Sequence, residues 1–129
     1  MSEPYWLRTE VVIAAHKDQI AQHGGTLGLR DRGLLESALA RPLNLWAYEQ
    51  AALPRLAASY AFGLAKNHPF VDGNKRIALS AVGIFLRING LRLIASEPDT
   101  VITVLRLAAG EIGEEEFADW IAANVEPLK

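Results

Sequence analysis

The segment from residue 77 to residue 86 constrains the fold of this chain more than any other. Nearly all of its side chains are apolar, and it follows a loop-like stretch that contains Pro69 and Gly73. A helix that is apolar on almost every side belongs in the interior of a helical bundle. We therefore predict a buried central helix over residues 74–88, ended by Gly90.

Five further helices are predicted from the spacing of apolar residues and from capping signals. The first covers residues 10–22, with Thr9 as its N-cap. The second is capped by Asp31 and must end before Pro42. The other three cover residues 54–66, 99–109 and 114–125. Residues 91–96 form a short extended piece. The predicted fold class is all-α, a bundle of about six helices around a central buried helix with at most a very short β segment.

The composition narrows the class of protein. The 129 residues correspond to one domain, residues 1–129, and the absence of cysteine excludes a disulfide framework. The sequence contains no apolar run of membrane-spanning length, and its start lacks the features of a signal peptide. We expect a soluble cytoplasmic protein that contacts no membrane. A net charge of -2 argues against direct nucleic-acid binding.

The charges are unevenly distributed along the chain. Residues 66–92 carry one acid, Asp72, among a group of cations: Lys66, Lys75, Arg76, Arg87 and Arg92. Residues 97–129 are strongly acidic. A local positive centre indicates one anionic ligand, although ordinary solvated helix faces give the same composition.

The segment that begins at His68 reads His-Pro-Phe-Val-Asp-Gly-Asn-Lys-Arg. A helix start after Gly73 offers unpaired N–H groups and the positive end of a helix dipole, to which Lys75 and Arg76 add two charges. Asp72 supplies a hard carboxylate oxygen of the kind that Mg²⁺ prefers. The imidazole of His68 is a base of the kind that takes a proton from a hydroxyl group. Phosphoryl transfer needs such a set: an anion site, cations, a metal ligand and a group that activates the attacking oxygen.

Each of these residues also has a structural interpretation. Asp72 can simply cap the helix that follows, and Lys75 and Arg76 can be solvated charges. A histidine before a proline is more often structural than catalytic, and Phe70 is expected to anchor the loop in the core. Co-occurrence within one short segment favours an anion site, and leaves catalysis and simple binding both open.

Other polar and glycine-rich positions fit no site. Gly24, Gly25 and Gly28 look like a phosphate loop, but no strand precedes them and no Gly-Lys-Ser/Thr follows, so we interpret them as a helix stop and a turn. His16 and His23 have no acidic neighbours at metal-ligand spacing, and no zinc site is expected.

The segment that begins at His68 resembles the signature of the Fic/Doc superfamily, and among its branches it looks like the Doc toxins. Residues 23–31 and 33–42 are also similar to segments common in that family. Adenylyl-transferring members have glycine at the position of Lys75 and a second arginine at the position of Leu79. These two departures disfavour the nucleotide orientation used for adenylyl transfer. Likeness to Doc implies the opposite orientation, in which the γ-phosphate is presented for transfer.

The resemblance implies a toxin that uses ATP and Mg²⁺ to phosphorylate a threonine of translation elongation factor Tu, arresting translation and growth. It implies that His68 is the general base and that Asp72 is the carboxylate linked to Mg²⁺, with Lys75 and Arg76 as catalytic phosphate contacts. The expected nucleotide- or phosphate-binding positions lie at or near the start of the 74–88 helix: Gly73, Asn74, Lys75, Arg76, Lys66 and Ser80. Asn74 either orients the loop or contacts phosphate.

The resemblance also implies a cognate antitoxin whose disordered tail folds on binding. We expect part of its groove at the first helix, at Tyr5, Trp6, Leu7 and Val11. Three alternative functions stay open: an adenylyl transferase acting on a protein hydroxyl, a catalytically silent nucleotide- or protein-binding module, and, with little support, a ribonuclease.

Overall fold

The computed structural model describes residues 2–128; Met1 and Lys129, the ends of the expected 1–129 domain, lie outside the described residues. The helices and strands within that range are α1 (Thr9–His23), α2 (Arg32–Glu49), α3 (Leu53–Asn67), α4 (Asn74–Ile88), β1 (Leu91–Leu93), α5 (Glu97–Ala108), α6 (Glu114–Ala122) and β2 (Val125–Pro127). This architecture confirms the predicted all-α class. None of the helices in the described part is long and apolar enough to cross a membrane.

α3 is the central helix of the bundle. It packs against α2, α4, α5 and α6, and every side chain from Leu56 to Ala61 is buried. Most of these side chains are small, so the neighbouring helices approach closely and the interior is densely packed. Pro54 lies in the first turn, where its missing N–H costs nothing, as predicted.

α4 has the predicted bounds but not the predicted central place. Its buried face, which includes Ile77 and Phe85, packs on α3, whereas Lys75, Arg76 and Gly83 are exposed. The expectation of a helix buried on all sides is therefore wrong for α4. Its half-buried apolar side chains, Leu79 and Ile84, pack against the core, and Leu79 also lines a cavity.

Two helix ends differ from the sequence prediction. α2 continues through Pro42 to Glu49, although a proline inside a helix costs about 3 kcal/mol. Pro42 itself is buried on the face of α2 that packs on α3, and this packing offsets the lost hydrogen bond. α6 ends at Ala122 rather than Val125, because Val125 pairs with Leu93 in an antiparallel two-stranded sheet.

Capping follows the prediction at one helix and not at another. The Asp31 carboxylate accepts a hydrogen bond of 2.9 Å from the N–H of Leu34 and caps α2. Thr9 is not an N-cap: it is the first residue of α1, and Arg8 occupies the capping position without a side-chain hydrogen bond.

Only part of the N-terminal segment suggested for the antitoxin groove is exposed. Tyr5, Trp6 and Leu7 precede α1, and the N–H of Leu7 donates to the buried hydroxyl of Tyr60 at 3.0 Å. Trp6 stacks on Phe85 with ring centroids 6.1 Å apart. Leu7 and Trp6 therefore belong to the core, and only Tyr5 and Val11 of that proposed set are exposed.

Close packing of α2 on α3 gives a stability prediction. A Cβ at Gly63 would lie 3.1 Å from the Ala38 Cα and 2.9 Å from the Arg41 Cδ, whereas a Cβ at Gly83 of α4 would meet nothing within 4 Å. We expect Gly63→Ala to lower the free energy of unfolding by about 1–3 kcal/mol through overpacking. Gly83→Ala, the matched control, should raise it by up to about 1 kcal/mol through helix propensity. Urea denaturation measures both, and an equal effect of the two substitutions would contradict this account of the interface.

Candidate active site

A cavity of about 970 Å³ opens between α1, the loop of residues 68–73, the first turns of α4, and α5. Its lining includes most of the residues singled out from the sequence: His68, Asp72, Gly73, Asn74, Lys75, Arg76 and Ser80. The start of α4 forms one wall, so the unpaired N–H groups and the positive dipole end lie at the cavity.

The loop is held on one side by residues 26–31. The N–H groups of Arg30 and Asp31 donate to the carbonyl of Pro69 at 2.8 and 3.0 Å, and the N–H of Val71 donates to the carbonyl of Gly28 at 3.0 Å. A single β-bridge joins Leu29 to Phe70. These bonds give the loop the regular hydrogen bonding of a short antiparallel strand pair, although it is not a strand.

Two side chains fasten the loop at its ends. The Arg30 guanidinium donates to the carbonyls of His68 and Asn67, at 2.7 and 2.9 Å, where α3 ends. The Asn74 amide accepts from the N–H of Phe70 at 3.0 Å and donates to the Phe70 carbonyl at 2.9 Å. Because Asn74 is 7% exposed and its amide is engaged in this way, its side chain orients the loop.

His68 projects from a left-handed turn. It is the residue at which α3 ends, and its φ is 49°. The imidazole is exposed at the cavity wall, and its Nδ1 lies 3.5 Å from the Asn74 amide nitrogen. Left-handed backbone is uncommon outside glycine and asparagine and needs surrounding contacts to hold it. The Arg30 bond to the His68 carbonyl is one such contact.

Asp72 is held as an ionised carboxylate. The Thr26 N–H donates to Oδ2 at 3.1 Å and the Gly73 N–H donates to Oδ1 at 2.8 Å. These hydrogen bonds, that of Thr26 foremost, lower the pKa of Asp72 below its ordinary value, with smaller contributions from His16 and Arg76. Each carboxylate oxygen keeps lone pairs free for another partner.

The carboxylate of Asp72 fits Mg²⁺ bound together with phosphates. Within residues 2–128 there is no cluster of three or more histidine, aspartate or glutamate side chains that could hold a metal alone. Mg²⁺ is usually held by one or two carboxylates plus substrate phosphates and water, so one carboxylate suffices. Glu97 of α5 also lines the cavity.

Lys75 and Arg76 carry the positive charge of the site. Both are exposed in the first turn of α4, and neither forms an ion pair with any other residue between 2 and 128. The arginines elsewhere that do form ion pairs are Arg32, Arg41, Arg55, Arg92 and Arg106. The two cations at the cavity are therefore available to an anionic ligand.

Ser80 and Lys66, the two remaining candidates, differ in their position relative to the cavity. Ser80 lines the cavity, and its hydroxyl oxygen accepts a hydrogen bond from the Gln19 amide. Lys66 is not among the lining residues; its ammonium donates to the Ala108 carbonyl at 3.1 Å and lies 5.9 Å from the centre of the Phe62 ring. The expectation that Lys66 contacts phosphate is therefore corrected: this side chain interacts with the end of α5 instead.

Sequence reasoning missed two residues that shape the site. His16 is 2% exposed, stacks on Phe70 with centroids 3.8 Å apart, and has Nε2 2.7 Å from the Asp72 carbonyl. Gly25, interpreted as part of a helix stop, lies against the Asp72 carboxylate: a Cβ there would be 2.8 Å from Oδ2. Long sequence separation hid the first, and only the paired glycines hinted at the second.

Comparison with known proteins identifies the family of this chain. The family model described as the Fic/DOC family matches residues 6–86, and the chain belongs to that family. It is 36% identical to the protein named Protein kinase doc of Escherichia phage P1 over 111 residues, 85% of this chain and 87% of that protein. It is also 51% identical over 75 residues to the protein named Toxin Doc of Mycolicibacterium smegmatis, 56% of this chain and 57% of that protein. The resemblance to the Doc branch is thereby confirmed.

The contact between Gly25 and Asp72 gives a prediction about ionisation. Gly25→Ala should displace the carboxylate from the Thr26 N–H and so raise the pKa of Asp72 toward its ordinary value. Gly24→Ala is the matched control: Gly24 also has positive φ, but a Cβ there meets nothing within 4 Å.

Carbon-13 NMR of the Asp72 carboxyl group during an acid titration measures the effect. In the wild type a lowered pKa means that the stabilisation from these bonds is present above the ordinary value of 3.8 and is lost as the pH falls through the lower, folded value. The same pKa in both variants would contradict the role assigned to the Thr26 bond.

Proposed function

We propose that this chain is an ATP-dependent phosphotransferase acting on a protein hydroxyl group, and the toxin of a toxin–antitoxin pair. One observation carries the proposal: the His68 imidazole, the ionised Asp72 carboxylate and two unpaired cations at a helix N-terminus share a single cavity. A base, a carboxylate for Mg²⁺ and an anion cradle are the parts of phosphoryl transfer. The phage P1 relative is named Protein kinase doc, which supports the same chemistry.

The residues divide the work between binding and proton transfer. The first N–H groups of α4, with Lys75 and Arg76, bind the phosphates of ATP and hold the γ-phosphate at the cavity wall. His68 accepts the proton of the attacking hydroxyl as its oxygen bonds to the γ-phosphorus and ADP departs. Asp72 would hold Mg²⁺, which supplies neutralisation of the charge on the transferring phosphate.

The cavity wall supports transfer of the phosphoryl rather than the adenylyl group. Leu79, one turn after Lys75, is half-buried and presents an apolar side chain to the cavity where a nucleotidyl transferase of this family would place a second arginine. The long Lys75 side chain occupies the position of a glycine that leaves room for phosphates. We infer that the nucleotide binds with its γ-phosphate at the start of α4.

We propose that the substrate is a threonine hydroxyl of translation elongation factor Tu, so that phosphorylation arrests translation. The cellular partner is a cognate antitoxin whose disordered tail folds on binding and keeps the toxin silent. Both proposals rest on the Doc resemblance together with the name Toxin Doc of the Mycolicibacterium smegmatis relative.

Intact-mass spectrometry tests the reaction. Purified elongation factor Tu is incubated with the chain, ATP and Mg²⁺, and the expected result is one added phosphoryl group, absent with His68→Ala. Arg87→Ala, an exposed substitution in the last turn of α4, is the control that should retain activity. An adenylyl increment would refute the orientation of the nucleotide, and no increment would refute this substrate.

Removing one phosphate contact should weaken nucleotide binding. We expect Lys75→Ala to lower ATP affinity by roughly ten- to a hundredfold, because a charge-assisted contact contributes about 1.5–3 kcal/mol. Calorimetric titration at low and moderate salt measures this, and the salt dependence of binding should fall with the lost charge. Equal affinity of the Lys75→Ala and Arg87→Ala variants would contradict the assignment of Lys75.

A further inference from the structure

A buried histidine lies directly beneath the loop, and the proposed reaction leaves it without a role. His16 comes from the middle of α1, and its ring is parallel to that of Phe70 within 9°. Its Nε2 is 2.7 Å from the carbonyl oxygen of Asp72. Because a carbonyl oxygen can only accept, this nitrogen carries the proton and donates it.

This hydrogen bond fixes the orientation of the peptide group between Asp72 and Gly73. In a trans peptide the C=O and the N–H point in opposite directions, and the chain contains no cis peptide among its described residues. With the carbonyl directed at His16, the N–H of Gly73 points away from α1. It donates to the Asp72 carboxylate at 2.8 Å, at the entrance to α4.

The same peptide would otherwise be easy to invert. Rotation of a peptide plane changes ψ of the residue before it and φ of the residue after it, and glycine accepts either sign of φ at little cost. Gly73 has a φ of 75°, so its own backbone preference does not select this orientation. The inverted peptide would present a carbonyl oxygen, rather than an N–H, to the Asp72 carboxylate, and the two oxygens would repel each other.

We propose that His16 is a positioning residue that locks the Asp72–Gly73 peptide with its N–H toward the Asp72 carboxylate, and so holds that carboxylate in place for a metal-bound nucleotide. The Phe70 stack sets the plane of the ring, and the Nε2 proton sets the direction of the carbonyl. The lock acts before any ligand arrives, which spares the bound state the cost of ordering this peptide. The consequence for phosphate binding rests on the proposed function; the orientation of the peptide does not.

Two substitutions separate the two interactions of His16, the stacking on Phe70 and the hydrogen bond from Nε2. His16→Phe keeps an aromatic ring against Phe70 but removes the donor. His16→Gln loses the stack and keeps an N–H donor at the reach of Nε2. If His16 merely fills space, the aromatic variant is the milder change; if it locks the peptide, the glutamine variant is.

The measurements are ATP affinity by calorimetry in the presence of Mg²⁺, thermal unfolding, and the amide resonance of Gly73 in the free protein. We expect His16→Phe to lower ATP affinity about tenfold and to shift the Gly73 amide, while His16→Gln stays within about threefold of wild type. An affinity that follows thermal stability in both variants, or a larger loss in His16→Gln, would overturn the lock.

The wild-type protein provides a test that needs no substitution. A through-hydrogen-bond coupling between His16 Nε2 and the Asp72 carbonyl carbon is expected in the ligand-free protein, and its absence would overturn the proposal even if a variant failed to fold. Should wild type bind no ATP, the proposed function fails, and the coupling with the Gly73 amide shift still decides the orientation of the peptide.

Discussion

The site depends on the way a short loop is held against its neighbours before any ligand is bound. Residues 26–31 bond to its backbone on one side, Asn74 bonds to both polar groups of Phe70 on another, and His16 bonds to the Asp72 carbonyl from below. A loop of this length would otherwise sample many conformations, at an entropic cost of roughly 1–2 kcal/mol for each backbone residue ordered on binding. Here the folding of the protein meets that cost in advance, which is the basis of preorganised electrostatic catalysis.

The helix bundle also explains how the site comes to carry positive charge that no acidic side chain compensates. α3 occupies the centre, so α4 can bury one face and leave its first turn open to the cavity. Five other arginines in the described part of the chain form ion pairs, whereas Lys75 and Arg76 do not. Two unpaired cations beside a helix N-terminus repel each other and are best satisfied by phosphate. The arrangement favours binding over local stability, as functional sites commonly do.

Sequence reasoning predicted what is local and missed what is distant. The bounds of α4, the Asp31 cap and the loop after His68 follow from turn and capping chemistry within a few residues. Packing overrode the local rules at Pro42, and pairing with β1 ended α6 early. The contact of His16 with Asp72 spans 56 positions, and Lys66 turned away from the site toward the end of α5. Neither contact leaves a trace in residue spacing.

We propose that the start of α4 is a preformed site for the γ-phosphate of ATP. A crystal structure with Mg²⁺ and a non-hydrolysable ATP analogue tests it most directly. We expect the γ-phosphate against the first N–H groups of α4, Lys75 and Arg76, the metal on Asp72, and a loop backbone unchanged from the free protein. A nucleotide bound in the opposite direction, with its α-phosphate at the start of α4, or a loop that rearranges to receive it, would contradict the account.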